Sequence, residues 1–220
     1  MLSSFISKFS AKASESNKIT TAVIDKAQIL EAVKFARDEM KFELLSDIAC
    51  VDNLNLNKSK RFSLYYIFSS LKGSNFIIQV DLDESESIAS VSQIYKSANW
   101  AERECYDQYG VKFANHPNLR RILNHKDFIG HPLRKDYPID KYQILTQSDS
   151  LVDEMRDQLL SLGLASEEND EFKIKYTFLN IGPSHPATHG TIRNFMALDG
   201  EKIAACVTEI GYLHRGFEKS

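Results

Sequence analysis

Two histidines lie four residues apart in a segment bounded by glycines, Gly182-Pro-Ser-His-Pro-Ala-Thr-His-Gly190. On a helix this spacing would place His185 and His189 on one face, as in zinc proteases, but a proline follows the first histidine and no glutamate lies between them. The segment is therefore a metal site, a loop whose imidazoles only bond the backbone, or a cavity-lining loop that offers a proton to a reducible oxygen. We favour the last and predict no metal site, because an ordinary imidazole titrates near working pH and Gly182 and Gly190 allow a flat ligand to approach the backbone.

A second concentration of charged residues begins at Trp100-Ala-Glu-Arg-Glu-Cys-Tyr-Asp-Gln-Tyr-Gly110 and continues to Pro138. An acid/base pair of Glu102 and Glu104 is disfavoured, because residues two apart do not share a helix face. We predict instead that the carboxylates hold the arginine-rich segment on the helix or face another protein of a complex, since arginine forms bidentate pairs. The predicted interface and scaffold residues are Glu102, Arg103, Glu104, Arg120, Arg121, Arg134 and Lys135.

Composition restricts the class of protein. The 220 residues carry a net charge of −3 and are 43% hydrophobic, which is typical of one or two globular domains and gives no support to nucleic-acid binding. No apolar run approaches the ~20 residues of a membrane helix, so any membrane association is expected to be peripheral. The widely spaced Cys50, Cys105 and Cys206 predict buried thiols rather than a zinc or cluster site.

The first half of the chain predicts helices packed on a small mixed sheet. Apolar residues spaced three and four apart indicate helices over 25–40 and 88–95, and β-branched and aromatic runs over 61–70 and 74–82 indicate a hairpin. Another helix is predicted to begin at Asn99, with Glu102 completing a capping box, and to end at Gly110. Residues 111–138 are expected to be ordered but extended.

The second half predicts a change of architecture. A helix over 150–162 and a linker over 165–171 precede strands over 172–178, 191–198 and 202–207, with a turn at Asp199-Gly200. The predicted class is α+β. Its domains are a disordered N-terminus (1–20), the helix-and-sheet domain with its extended Arg-, His- and Pro-rich segment (21–148), a helical linker (149–173) and an incomplete antiparallel β meander (174–220).

The first domain resembles the C-type subunit of NADH–quinone oxidoreductase, the respiratory complex I, through three joined motifs: WAERECYDQYGVKF, HPNLRRIL and GHPLRKDYP. In that family the C-type subunit is a scaffold of the peripheral arm and binds no redox centre. Asn115 stands where the family usually has glycine before His-Pro. Because asparagine tolerates the left-handed conformation better than most residues, we expect the turn to be kept.

The last part of the chain resembles the N-terminus of the D-type subunit of the same enzyme, through GPSHPATHGTIRNFMALDGE and IGYLHRGFEK. The resemblance implies that His189 hydrogen-bonds the quinone headgroup and that His185 and Gly190 belong to the same site. It also implies that His214 and Arg215 lie beside the terminal tetranuclear iron–sulfur cluster, whose ligands come from another protein of the complex. A cationic arginine there would favour the reduced cluster.

Two features depart from the pattern of the D-type subunit. Glu209 stands where that family often has histidine. The family's quinone site also uses a tyrosine from a later segment, so we expect a truncated C/D fusion that is inactive in isolation.

The resemblance implies a subunit of an enzyme that transfers electrons from NADH to quinone and couples this to proton translocation. Flavin and iron–sulfur clusters would reside on partner subunits, above all the one with the terminal cluster and the membrane arm, and this chain alone would bind no cofactor. The implied location is the cytoplasmic face of a bacterial inner membrane or, second, the matrix side of the mitochondrial one. The alternatives are the large subunit of a complex I-related membrane-bound hydrogenase and a non-catalytic scaffold fragment.

Overall fold

A computed structural model describes residues 2–17, 19–56, 58–141, 143, 150–168, 171–173 and 175–213. The chain forms two compact units, one of residues 1–141 and one of residues 142–217. Within the described residues, four α-helices accompany a five-stranded mixed sheet and a separate three-stranded antiparallel sheet. The predicted α+β class is confirmed.

The five-stranded sheet forms the centre of the first unit. Its strands are β1 (Lys12–Ser16), β2 (Ile19–Ile24), β3 (Leu44–Asp52), β4 (Phe62–Ser69) and β5 (Asn75–Leu82). Their order is β1-β2-β5-β4-β3, with β2 and β5 parallel and all other neighbours antiparallel. The sheet is therefore mixed because β2 and β5 run side by side in the same direction.

The predicted hairpin is confirmed as β4 and β5. The last ladder pair joins Ser69 to Asn75, and Gly73 in the turn between them has a φ of 84°. Alternation along β4 buries Leu64, Tyr66 and Phe68, which form part of the core. The period of two seen in the sequence thus decides which face of the strand is inside.

Two helices pack beside this sheet. Helix α1 spans Leu2–Phe9, and helix α2 spans Ile29–Asp38 after a short 3-10 turn at Lys26–Gln28. The apolar stripe of α2 is buried as its spacing predicts, through Ile29, Val33 and Ala36.

The N-terminal segment is folded where we expected disorder. Phe5 and Phe9, four residues apart on α1, are buried. The Phe5 ring makes edge contacts with Phe35 and Phe76, at centroid distances of 5.9 and 5.1 Å. The many serines and lysines of residues 1–20 concealed this, because two rings on one helix face can hold a segment on a core whatever its average composition.

The helix predicted over 88–95 is wrong. Ser87–Ala89 forms strand β6, which pairs in parallel with β7 (Lys112–Ala114), and turns follow it. Val91 and Tyr95 are nevertheless buried. The spacing of these two residues therefore indicates burial rather than a helix. The conformation of β6 is decided by its pairing with β7, a strand distant in sequence.

Helix α3 spans Ala98–Tyr109, close to the predicted bounds. Gly110 caps its C-terminus at a φ of 81°, and Asn115 has a φ of 62°, so both predicted left-handed positions are confirmed. The predicted capping box is wrong, because Ser97 occupies the N-cap position, without a side-chain cap, and the carboxylate of Glu102 bonds elsewhere.

The second unit contains helix α4 (Ser150–Ser161) and a meander of β10 (Thr177–Ile181), β11 (Ile192–Asp199) and β12 (Lys202–Ile210). The helix lies on one face of this sheet instead of forming a separate linker. The buried contact consists of Leu151, Met155, Leu159, Ala197, Ala205 and Val207.

Three smaller differences concern the strands of this unit. Part of the expected linker forms an antiparallel pair, β8 (Ser166–Glu168) with β9 (Glu171–Lys173), so β9 and β10 are two strands where one was predicted. Strand β12 continues to Ile210. Because Asp199 pairs with Lys202, the hairpin turn lies one residue later than predicted.

Candidate functional site

The histidine loop, residues 182–191, connects β10 to β11. Three successive turns shape it: His185 N–H donates to the Gly182 carbonyl, Thr188 N–H to the His185 carbonyl, and Thr191 N–H to the Thr188 carbonyl, each at 3.0 Å. Pro186–Thr188 is a short 3-10 turn rather than α-helix. The i,i+4 spacing of the histidines therefore does not place them on a helix face.

Thr188 is the buried centre of this loop, at 4% exposure, although both neighbouring residues are exposed. Its Oγ1 lies 2.9 Å from the Gly182 carbonyl, 3.1 Å from that of Pro183 and 2.8 Å from that of His185. Sequence reasoning missed this residue. The available signal was the tendency of threonine hydroxyls to bond nearby backbone groups in turns.

The two imidazoles have different roles within the loop. Nδ1 of His185 accepts a hydrogen bond of 3.1 Å from Ala187 N–H, so the neutral ring carries its proton on Nε2. His189 is left-handed, at a φ of 53°, and exposed. Within the described ranges no hydrogen bond to the His189 ring is found. The loop therefore uses one ring for its own structure and presents the other to the outside.

Gly190 follows in the left-handed region as well, at a φ of 80°. A Cβ built at Gly190 or at Gly182 would meet no atom within 4 Å. Space for an approaching ligand is present at both glycines. The backbone angle of Gly190, rather than crowding, is what requires a residue without a Cβ.

A polar cluster lies at the same end of the meander as the loop. Arg193 Nε donates to Asn180 Oδ1 at 3.1 Å, its Nη1 lies 3.7 Å from Glu209 Oε2, and the Tyr212 hydroxyl donates to the same carboxylate. Burial and then this bond raise the pKa of Tyr212. His214 and Arg215, the predicted neighbours of an iron–sulfur cluster, lie outside the described residues.

In the first unit, Asp107 joins α3 to the segment that follows it. Its fully buried carboxylate accepts from Arg121 Nη1 at 2.6 Å, from Asn124 Nδ2, and from three successive backbone N–H groups at 122–124. Burial would raise the pKa of Asp107, but the hydrogen bonds from Asn124 and the others outweigh it and lower that pKa. The predicted carboxylate–arginine contact therefore centres on Asp107.

The Arg121 guanidinium also connects the two ends of residues 121–130. Its Nη2 donates to the carbonyls of Phe128 and Gly130 at 2.7 and 2.8 Å, so one guanidinium gathers both ends of residues 121–130. Arg103 reaches across from α3 and donates to the carbonyls of Arg120 and Arg121 at 3.0 and 2.8 Å. The arginines thus bind backbone as much as carboxylate.

The remaining predicted scaffold residues are distributed around the segment. Arg134 Nε donates to the Tyr109 carbonyl at 2.6 Å and its guanidinium pairs with Glu84. Lys135 uses its backbone N–H, which donates to Asp52 at 2.8 Å, while its side chain is exposed. Arg120 and Glu104 are exposed.

Glu102 is separate from the arginines, contrary to expectation. Its fully buried carboxylate accepts from Ser90 Oγ at 2.6 Å and Val91 N–H at 2.7 Å, and lies 3.8 Å from His116 Nε2. Burial raises the pKa of Glu102 to about 7. It ties α3 to the end of β6 and makes no acid/base pair with Glu104.

In the part of the chain that the structure describes, no group of three or more His, Cys, Asp or Glu side chains could hold a metal ion. No described helix combines the length and apolarity needed to cross a membrane. Cys50 and Cys105 are buried free thiols as predicted, whereas Cys206 is partly exposed.

The first unit matches a known family model over residues 22–143, described as respiratory-chain NADH dehydrogenase, 30 kDa subunit. The chain therefore belongs to this family. The match includes both helix α3 and the segment that Asp107 and Arg121 hold.

Curated relatives match both units. The C/D subunit of NADH-quinone oxidoreductase from Bdellovibrio bacteriovorus is 41% identical over 214 residues, which are 93% of this chain and 36% of the relative. The protein of the same name from Buchnera aphidicola subsp. Cinara cedri is 37% identical over 89% of this chain and 36% of its own length. The resemblance to a C/D fusion is confirmed, and the chain spans about a third of these relatives.

The fold is also found in a solved structure of a respiratory membrane complex. A chain of the membrane-bound sulfane sulfur reductase, an archaeal respiratory membrane complex, superposes with a TM-score of 0.53 at 18% identity. The superposition covers 78% of this chain and 96% of that one. At this identity the likeness concerns the fold alone.

Proposed function

We propose that this chain is part of a subunit of NADH–quinone oxidoreductase, in which the first unit is a scaffold of the peripheral arm and the second contributes to the quinone site. The support is its family and the printed names of relatives that are 41% and 37% identical. The enzyme would transfer electrons from NADH to quinone and couple this to proton translocation. The location that follows is peripheral, at the cytoplasmic face of a bacterial inner membrane.

The observation that carries the quinone-site proposal is the difference between the two imidazoles. His185 holds the loop through Ala187, whereas the His189 ring is exposed beside a left-handed backbone and is available to a ligand. His189 would donate a hydrogen bond, and then a proton, to a carbonyl oxygen of the quinone as that oxygen becomes negative. His185 and Gly190 would shape the site around it.

The electrons would come from flavin and iron–sulfur clusters on partner subunits. His214 and Arg215, which carry the LHRG resemblance, would lie beside the terminal cluster. The positive charge of Arg215 would stabilise the reduced form. In the first unit, the exposed side chains of Arg120, Lys135 and Glu104 would face partner subunits.

Substitution of His189 in the assembled membrane complex tests the proposal. His189→Ala is expected to lower NADH–quinone reductase activity by about a hundredfold, because the headgroup loses its proton donor. NADH–ferricyanide activity, which does not use the quinone site, should stay at the wild-type level.

His185→Ala serves as the matched control, because it removes an imidazole that caps a turn. A smaller loss of quinone reduction is expected for it than for His189→Ala. Unchanged quinone reduction in the His189→Ala membranes, or a larger loss from His185→Ala, would contradict the assignment.

A further inference from the structure

We propose that Thr188 is a positioning residue that holds the His189 imidazole in place for the quinone, an inference that rests on the proposed role of His189. Thr188 is the residue of the histidine loop that lies inside it, at 4% exposure, between two exposed residues. A buried hydroxyl at the centre of a loop that has no hydrophobic core of its own is a structural element rather than a ligand-binding group.

The Thr188 hydroxyl binds the first part of the loop, residues 182–185. Oγ1 lies within hydrogen-bond distance of the carbonyls of Gly182, Pro183 and His185. A hydroxyl has one proton to donate, so the three acceptors share it. All three carbonyls thereby converge on one atom, so residues 182–185, which follow β10, are held around the Thr188 hydroxyl.

The backbone of Thr188 binds the last residue of the loop, Thr191. Its carbonyl accepts from Thr191 N–H at 3.0 Å and from Thr191 Oγ1 at 2.8 Å. Both parts of the loop are therefore bonded to Thr188, one residue before His189.

The conformation of His189 depends on this double attachment. A non-glycine residue in the left-handed region, here at a φ of 53°, is unfavourable by itself and persists where the surroundings determine it. No hydrogen bond within the described loop restrains the His189 ring. The direction in which His189 leaves the backbone, along its Cα–Cβ bond, is consequently set by the loop that Thr188 holds.

Thr188→Val tests this, because valine has the shape of threonine without the hydroxyl. In the assembled membrane complex the quinone KM is expected to rise about two- to tenfold, the effect of one lost hydrogen bond, with a smaller change in kcat. Thr188→Ser, which restores Oγ, should return the KM to near the wild-type value. Thr177→Val, an exposed Thr-to-Val change at the far end of β10, should leave it unchanged.

A double-mutant cycle separates positioning from general damage. If Thr188 acts through His189, Thr188→Val should have no further effect on kcat/KM once His189 is alanine. An equal effect in both backgrounds would overturn the proposal, because it would mean that the hydroxyl supports the loop without directing that imidazole. All values are normalised to NADH–ferricyanide activity, and Thr188→Ala is measured by the same criteria if the valine variant does not assemble.

The outcomes distinguish this inference from the proposed function. If His189→Ala lowers quinone reduction and Thr188→Val has wild-type KM, only the positioning role of Thr188 is wrong. If His189→Ala itself has no effect, the quinone-site proposal fails and this inference fails with it.

Discussion

A single carboxylate organises the contact between helix α3 and residues 121–130. Asp107 accepts five hydrogen bonds, three of them from consecutive backbone N–H groups, in a position closed to solvent. Such an anion substitutes for the regular secondary structure that this segment lacks, because it satisfies backbone donors that would otherwise be buried without acceptors.

Asp107→Ala is therefore expected to lower the free energy of unfolding of the first unit by about 3–5 kcal/mol. The substitution leaves the Arg121 guanidinium and three N–H groups without their acceptor. Urea unfolding of the chain measures the loss.

Asp127→Ala is the matched control for this change, since the Asp127 side chain is 60% exposed on the same segment. A change within about 0.5 kcal/mol is expected for it. Equal effects of the two substitutions would contradict the central role of Asp107.

At the scale of the element, the C-terminus of α3 combines two requirements. Gly110 is left-handed, and a Cβ there would lie 2.6 Å from His131 Nε2 and 2.7 Å from Arg134 Nη2. The end of the helix must therefore turn sharply and also admit two side chains of the following segment. Arg134 in turn donates to the Tyr109 carbonyl, one of the groups that a helix end leaves without an internal partner.

Gly110→Ala and Gly73→Ala separate these two requirements. Gly73 has nearly the same φ, 84°, but nothing within 4 Å of its built Cβ. Gly73→Ala should cost about 1–2 kcal/mol from the backbone alone. Gly110→Ala should cost about 1–3 kcal/mol more, because the segment is displaced. Thermal and urea unfolding of both variants, compared with wild type, would show equal losses if crowding at Gly110 were unimportant.

At the scale of the whole molecule, the first unit has a pH-sensitive stability through Glu102. This carboxyl is fully buried against Ser90, Val91 and His116, and burial raises its pKa to about 7 from an ordinary 4.5. His116 lies beside it, with Nδ1 accepting from Asn118 N–H and Nε2 3.0 Å from the Asn99 carbonyl. The folded protein thus holds a proton that the unfolded chain releases.

The stabilising effect of this proton is present below the unfolded pKa and is lost as the pH rises through the folded pKa. Between about pH 4.5 and 7, Glu102 should account for a loss of about 3 kcal/mol in the free energy of unfolding. Glu102→Gln should remove most of this dependence.

Urea unfolding at several pH values between about 4.5 and 8 measures this dependence. Glu39→Gln, at an exposed position, is the control that should keep the wild-type slope. A wild-type slope in the Glu102→Gln variant would contradict the proposed titration.

Much of the fold could be predicted from the sequence where the deciding interactions are local. The β4–β5 hairpin, the stripe of α2 and the left-handed Gly110 and Asn115 follow from residues within a few positions of one another. The non-helical conformation of the histidine loop was also predicted this way, because glycine and proline exclude a helix at that position.

Other features depend on partners far along the chain. Strand β6 forms because β7 pairs with it. Glu102 does not form the predicted capping box, because Ser90 and Val91 donate to its carboxylate. Thr188 shows the same limit at short range, since three carbonyls converge on its hydroxyl only after the loop has folded.

The sequence by itself therefore determined the family and the class of fold, and it supplied the residues proposed to do chemistry, because periodicity, turn residues and motifs are properties of the chain. Only the tertiary structure decided which carboxylate binds the arginines and which imidazole is available to a ligand. Those choices depend on which donors and acceptors are left once the backbone is in place.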